Sequence, residues 1–272
     1  MRPFVVALAV LALAAPAFAD DPPAAGTDGK PADPIVALLA QLKDDQPPEV
    51  RLEAVKQAKV LEDPRLVPAL GKLLRAPEED VRVGAMAALG ARSTPETKKK
   101  AAAALIERLK PLDATLEKDA TRKPEMIALC KALHDLAQPS SIDPLLDGIE
   151  FREDLEVVEA RAMAVANVAD VKAVDGMIDL MGRRHRDGTG IRAVLSKALY
   201  YATGAKLGND ADAWRSWWKD AKVHFDFEAA AEQREKAREA KEAKEAAKDA
   251  AKEKRKPKKK DGETTPGDGG TK

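Results

Sequence analysis

Asp80-Val81-Arg82-Val83-Gly84-Ala85-Met86-Ala87-Ala88-Leu89-Gly90 reads as one turn after another of a helix that has a single apolar face. Its small and apolar residues recur at three- and four-residue intervals, the spacing that lines them up on one side. A shift of 31 residues lays Val50-Arg51-x-x-Ala54-x-x-x-Ala58 over Val81-Arg82-x-x-Ala85-x-x-x-Leu89, and Leu39 and Leu42 over Leu70 and Leu73. Two helices therefore repeat together. Further matches begin at Val158, where Ala162-Met163-Ala164 overlies Ala85-Met86-Ala87, and at Ile191-Arg192, followed by Leu195 and Leu199. The anchors lie 31, 77 and 33 residues apart, and the wide gap has room for one enlarged unit from Pro95 to Ala137. That unit pairs a long first helix, which Pro111 is expected to kink or split, with a second one beginning after Pro124. Helix pairs of this kind cannot bury their apolar faces alone and must stack on their neighbours.

On these residues the chain resembles the HEAT repeat family, including the HEAT-like repeats first associated with phycobilisome lyases. The Asp80-Val81-Arg82, Ala85 and Ala88-Leu89-Gly90 positions carry the likeness, which extends over about Pro34 to Thr203 and weakens near Val158, where Glu159 stands at the arginine position. The resemblance implies an all-α solenoid of about five helix pairs, a protein-binding scaffold or adaptor, and a ladder between repeats formed by Asp80 with Arg51, Arg82 and Arg192. The alternative it leaves open is an enzyme related to bilin lyases, or a sensor of a small ligand.

Of the eight aromatic residues after position 19, seven fall between Leu199 and Phe227. Thr203-Gly204 should end a helix, with glycine taking the left-handed conformation, and Asp210 or Asp212 should cap the next. On that next helix Trp214, Trp217 and Trp218 share one face. With Tyr200 and Tyr201 they form either an aromatic cap over the last repeat or a shelf for a sugar or peptide. The Leu-Tyr-Tyr-x-Thr-Gly to Trp-x-x-Trp-Trp arrangement is similar to a C-terminal signature of bacterial envelope HEAT-like proteins.

Residues 228–256 are rich in Ala, Glu and Lys, which predicts a long charged helix. Its alanine seam is too thin for strong coiled-coil pairing, and residues 257–272 should form a disordered tail. Residues 228–260 hold thirteen Lys or Arg against eight Asp or Glu, whereas the chain as a whole balances 46 against 46. The cluster Lys254, Arg255, Lys256, Lys258, Lys259 and Lys260 is a candidate tether to an anionic lipid surface or wall polymer, or else a solvated spacer. It lacks aromatics for stacking on bases, which argues against nucleic acid.

The first residues read as an address. Arg2, the apolar run Phe4 to Ala15 and the small residues up to Ala19 form a signal peptide cleaved after Ala19, with a disordered linker at 20–33 and the repeat body at 34–227. A periplasmic or secreted protein with no later transmembrane span follows. Cys130, the single cysteine, cannot form an internal disulfide, and its apolar neighbours favour burial.

The histidines lack metal-ligand spacing, and neither a nucleophile elbow nor a phosphate-binding loop is present, so no enzyme, metal or cofactor is expected. One stretch offers a candidate anion site. Arg183, Arg184, His185, Arg186 and Thr189 surround a glycine-rich turn that opens a helix. The other reading of those cations is complementation of the preceding helix C-terminus.

Overall fold

The computed structural model describes residues 33–183 and 190–254. The expected leader, nearly all of the linker and the tail lie outside that range. The described residues from Pro34 on belong to one unit. Its α-helices are α1 (Pro34–Gln41), α2 (Pro48–Val60), α3 (Leu66–Leu73), α4 (Glu79–Gly90), α5 (Pro95–Leu116), α6 (Lys123–Leu136), α7 (Ile142–Leu146), α8 (Leu155–Ala166), α9 (Val171–Gly182), α10 (Gly190–Thr203), α11 (Ala211–Ala221) and α12 (Phe227–Lys254). No strand occurs among the described residues.

The helices stack in two rows. The second helices of successive pairs pack on one another in the order α2, α4, α6, α8, α10, and the first helices in the order α1, α3, α5, α7, α9. The residues that the shift of 31 superimposes lie at the heart of this stack. Ala54, Ala58, Ala85 and Leu89 are all fully buried. Small residues let neighbouring backbones approach. A Cβ built on Gly90 of α4 would come within 2.9 Å of the Ala132 Cα of α6.

Local signals place the helix starts. Pro48, Pro95 and Pro124 occupy first-turn positions that need no N–H donor. The side chains of Thr94, Asp154, Asp170 and Asp210 accept hydrogen bonds from N–H groups of the turns they open. Of the two candidate caps before the tryptophans, Asp210 is the one that acts. Gly204 adopts φ 77°, as its place after α10 requires. Pro111 does not split its helix, since α5 runs unbroken through it for 22 residues. Pro111 is exposed, and the Thr115 hydroxyl bonds its carbonyl at 2.8 Å.

Beyond the fifth pair both rows continue. α11 packs on α9, while α12 packs on α10. Phe227, Ala230, Ala231 and Arg234 are half-buried at helical spacing, and every described side chain from Glu235 on is exposed. The charged helix is thus docked at its root, a difference from the fully solvated helix that its composition suggested. A two-turn apolar stripe is too short to stand out in a sequence dominated by Glu, Lys and Ala.

Candidate functional site

Arginines organise two of the edges where a first helix turns into its second, after α3 and after α7. Carbonyls at a helix C-terminus have no partner within the helix and need donors from elsewhere. Arg82 supplies them after α3, with Nη1 donating to the Ala76 carbonyl at 2.8 Å and the Pro77 carbonyl at 2.7 Å. After α7 the donor is Arg161, which is 1% exposed and bonds the carbonyls of Pro144, Leu145 and Asp147. At the opposite edge Arg92 reaches back to the Ala58, Lys59 and Leu61 carbonyls at the end of α2. Asn167 donates to the His134 carbonyl at the end of α6, and Arg234 to the Tyr201 and Ala202 carbonyls at the end of α10.

Carboxylates complete the network. Arg51 Nη2 donates to Glu78 at 2.9 Å. Glu125, fully buried, accepts from Arg82 at 3.0 Å, Arg108 at 2.8 Å and Arg122 at 3.1 Å. Burial by itself would raise its carboxyl, but the Arg108 hydrogen bond and the charges of Arg82 and Arg108 outweigh it and hold the group below its ordinary value. Asp113 pairs with Arg152 and Arg161. The ladder implied by resemblance is therefore present at Arg51 and Arg82 but differs elsewhere. Asp80 is exposed in the first turn of α4, and Glu78 takes the acidic role beside Arg51. Arg192 is half-buried with its Nε lacking a hydrogen-bond partner, whereas Arg161 fills the slot left by Glu159. The signal for Glu125 was weak in the sequence, because one acidic residue on a charged helix resembles any other.

Of the anion-site residues only Arg183 is described. Its backbone N–H bonds the Leu180 carbonyl and its guanidinium pairs with Glu150 at 2.8 Å. Arg184, His185, Arg186 and Thr189 lie outside the described residues, as do Arg255, Lys256, Lys258, Lys259 and Lys260 of the tether; Lys254 ends α12.

The aromatic residues divide into two groups. Trp214 and Trp218 are buried, and their indole N–H groups donate to the Gly208 carbonyl and to Asp175, each at 2.8 Å. Trp217 is half-buried and sits edge-on to Trp214 and Phe225. Tyr201 donates to Asn167 and lies under the Arg234 guanidinium, 4.4 Å from its ring centroid. Tyr200, grouped with these rings on sequence, is instead 45% exposed beneath Lys206. It directly precedes Tyr201, and of the two rings only that of Tyr201 meets Asn167 and Arg234.

Grooves run between successive first helices. The larger, about 630 Å³, lies among α5, α7 and α9 and is lined by Leu109, Leu146 and Leu180 together with Asp113, Asp143, Asp147 and Asp179, and with Lys110, Arg161 and Arg183. A smaller one of about 340 Å³ separates α3 from α5. Among the described residues no cluster of His, Cys, Asp or Glu could hold a metal ion, and no helix is long and apolar enough to cross a membrane. Burial pushes the Cys130 thiol up to about 12.

Residues 35–123 match the family model for HEAT repeats. The match spans α1 to α5 and the turn into α6, and takes in Arg51, Arg82 and Arg92. No curated protein matches the chain. The same two-row stacking carries on past residue 123 through α10, so the fold is an all-α solenoid of HEAT-like helix pairs.

Proposed function

We propose that this chain is an exported, non-enzymatic HEAT-repeat scaffold or adaptor that holds a protein partner in the cell envelope, with its basic arm supplying electrostatic attraction. The observation that carries this reading is the division of labour among polar groups. Buried arginines and carboxylates are engaged with helix ends and with each other, leaving open grooves between first helices as surface for a partner. Cys130 has a thiol held protonated by burial, which makes it a poor nucleophile. Export rests on Arg2, the apolar run and the small residues before Ala19. For the arm, α12 runs on from Glu235 to Lys254, about 30 Å at the rise of a helix, and its described side chains in that stretch are exposed. The sequence Arg255-Lys256-Pro257-Lys258-Lys259-Lys260 is attached at that end.

Affinity capture from an envelope extract tests this, using the full chain beside a version ending at Ala240. That end point keeps Arg234, which an end at Phe227 would sacrifice along with the cap it places on α10. Capture of one protein by both versions locates recognition in the repeats. Capture that needs the arm, or that salt alone abolishes, makes tethering the main activity. The alternative, a lyase-related enzyme or small-ligand sensor, draws on the groove among α5, α7 and α9. Visible absorbance of a bound chromophore in the purified protein would favour it.

A further inference from the structure

The groove between α3 and α5 differs in sign from its larger neighbour. Lys72, Arg75, Lys100 and Arg108 line it, against the single carboxylate of Glu107. Its floor is apolar, formed by Val67, Leu74 and Ala104. Two of these cations have surface partners, Arg75 with Glu107 and Lys100 with Glu96, while Lys72 has no salt bridge among the described residues. Exposed pairs of this kind are weak and are readily exchanged for a better anion.

Arg108 ties the groove to the buried charge cluster behind it. Its Nη2 holds Glu125, which is shared with Arg82 and Arg122, and Arg122 also meets Asp119 at 3.7 Å, so three arginines face two carboxylates and one positive charge is left over. The Arg108 Nε is buried and donates to nothing.

We infer that the α3–α5 groove is a docking site for an extended, acidic segment of a protein partner, its carboxylates meeting Lys72, Arg75 and Lys100 and its apolar side chains resting on Val67, Leu74 and Ala104. The inference rests on the scaffold reading and assigns that reading a surface and a partner chemistry. Charge complementarity selects the sign of the occupant, and the concave apolar floor selects its kind. A flat bilayer does not enter a groove of about 340 Å³. A nucleic-acid strand would want aromatic platforms, and none lines this groove.

Fluorescence anisotropy tests the assignment on the full chain. The probe is a short labelled peptide of alternating glutamate and leucine, with a thymidine oligonucleotide and phosphatidylglycerol vesicles as rivals. The double variant Lys72→Glu with Arg75→Glu changes two exposed side chains and should melt as the wild type does. It is expected to weaken peptide binding about tenfold, and added salt to weaken the wild type likewise. Lys131→Glu, exposed on α6 in the other row, should change binding less than about twofold. Equal losses in both variants would overturn the assignment, as would an oligonucleotide or vesicles bound more tightly than the peptide. If the double variant still captures the wild type's partner, the groove is excluded and the scaffold reading stands. If the wild type binds the peptide but captures no partner, the groove stands and the scaffold reading falls.

Discussion

Glu125 is where one residue holds three others. Arg82, Arg108 and Arg122 come from α4, α5 and the turn before α6, so the carboxylate ties the second pair to the enlarged third. Removing one partner of a buried ion cluster strands the rest, and Glu125→Gln should cost about 3–5 kcal/mol in denaturant unfolding. Its pH dependence has a definite sign. The folded carboxyl lies below its ordinary value of 4.5, so its stabilisation is fully present above that pH. As pH falls below it the unfolded chain binds the proton first, and the contribution is lost through the lowered folded value. Melting of the wild type should therefore drop more steeply in acid than that of Glu125→Gln. Should that variant not fold, Arg122→Gln, one-third exposed, tests the same sign at smaller amplitude. Gly90 is a second such position. Gly90→Ala places a methyl against the Ala132 backbone and should destabilise by about 1–3 kcal/mol. Gly90 could be read from the repeat pattern; the company Glu125 keeps could not, because its arginines are as far as 43 residues away.

Among the elements, α11 and α12 show how a stack is finished. Trp214 is fully buried and Trp217 only half, so Trp214→Ala should cost about 3–5 kcal/mol and Trp217→Ala clearly less, read from thermal melts. Persistence of the full melting temperature in Trp214→Ala would show that the aromatic helix is not needed by the body. The root of α12 is the second case. Arg234 closes the carbonyl end of α10 and stacks on Tyr201, so Arg234→Ala should free α12. Faster amide exchange confined to α12 and the last turn of α10 is the expected result. The tryptophan face was legible because three large rings at helical spacing have few alternatives. The docking of α12 was hidden, since two alanines and an arginine stem give little apolar signal.

On the scale of the whole molecule each pair touches only its neighbours, and stability should therefore be graded along the stack. α1 buries only Ile35 and Leu38, and the other end of the stack carries the aromatic cluster. Hydrogen exchange should find the least protection in α1 and the most in α4, α6 and α8. Equal protection at α1 would mean that something further covers that end.

The repeat of paired helices, the glycine stop at Gly204 and the shared face of the three tryptophans were determined by the sequence alone. Hydrogen bonding and side-chain period act within a few residues, and a 31-residue shift displays them directly. Tertiary structure alone decided which carboxylate each arginine meets, that Arg161 replaces the expected position at Glu159, and that one groove is basic while its neighbour is rich in aspartate. Those outcomes depend on how far each helix is offset against the next. That offset is set by the summed packing of many small side chains, and no single motif records it.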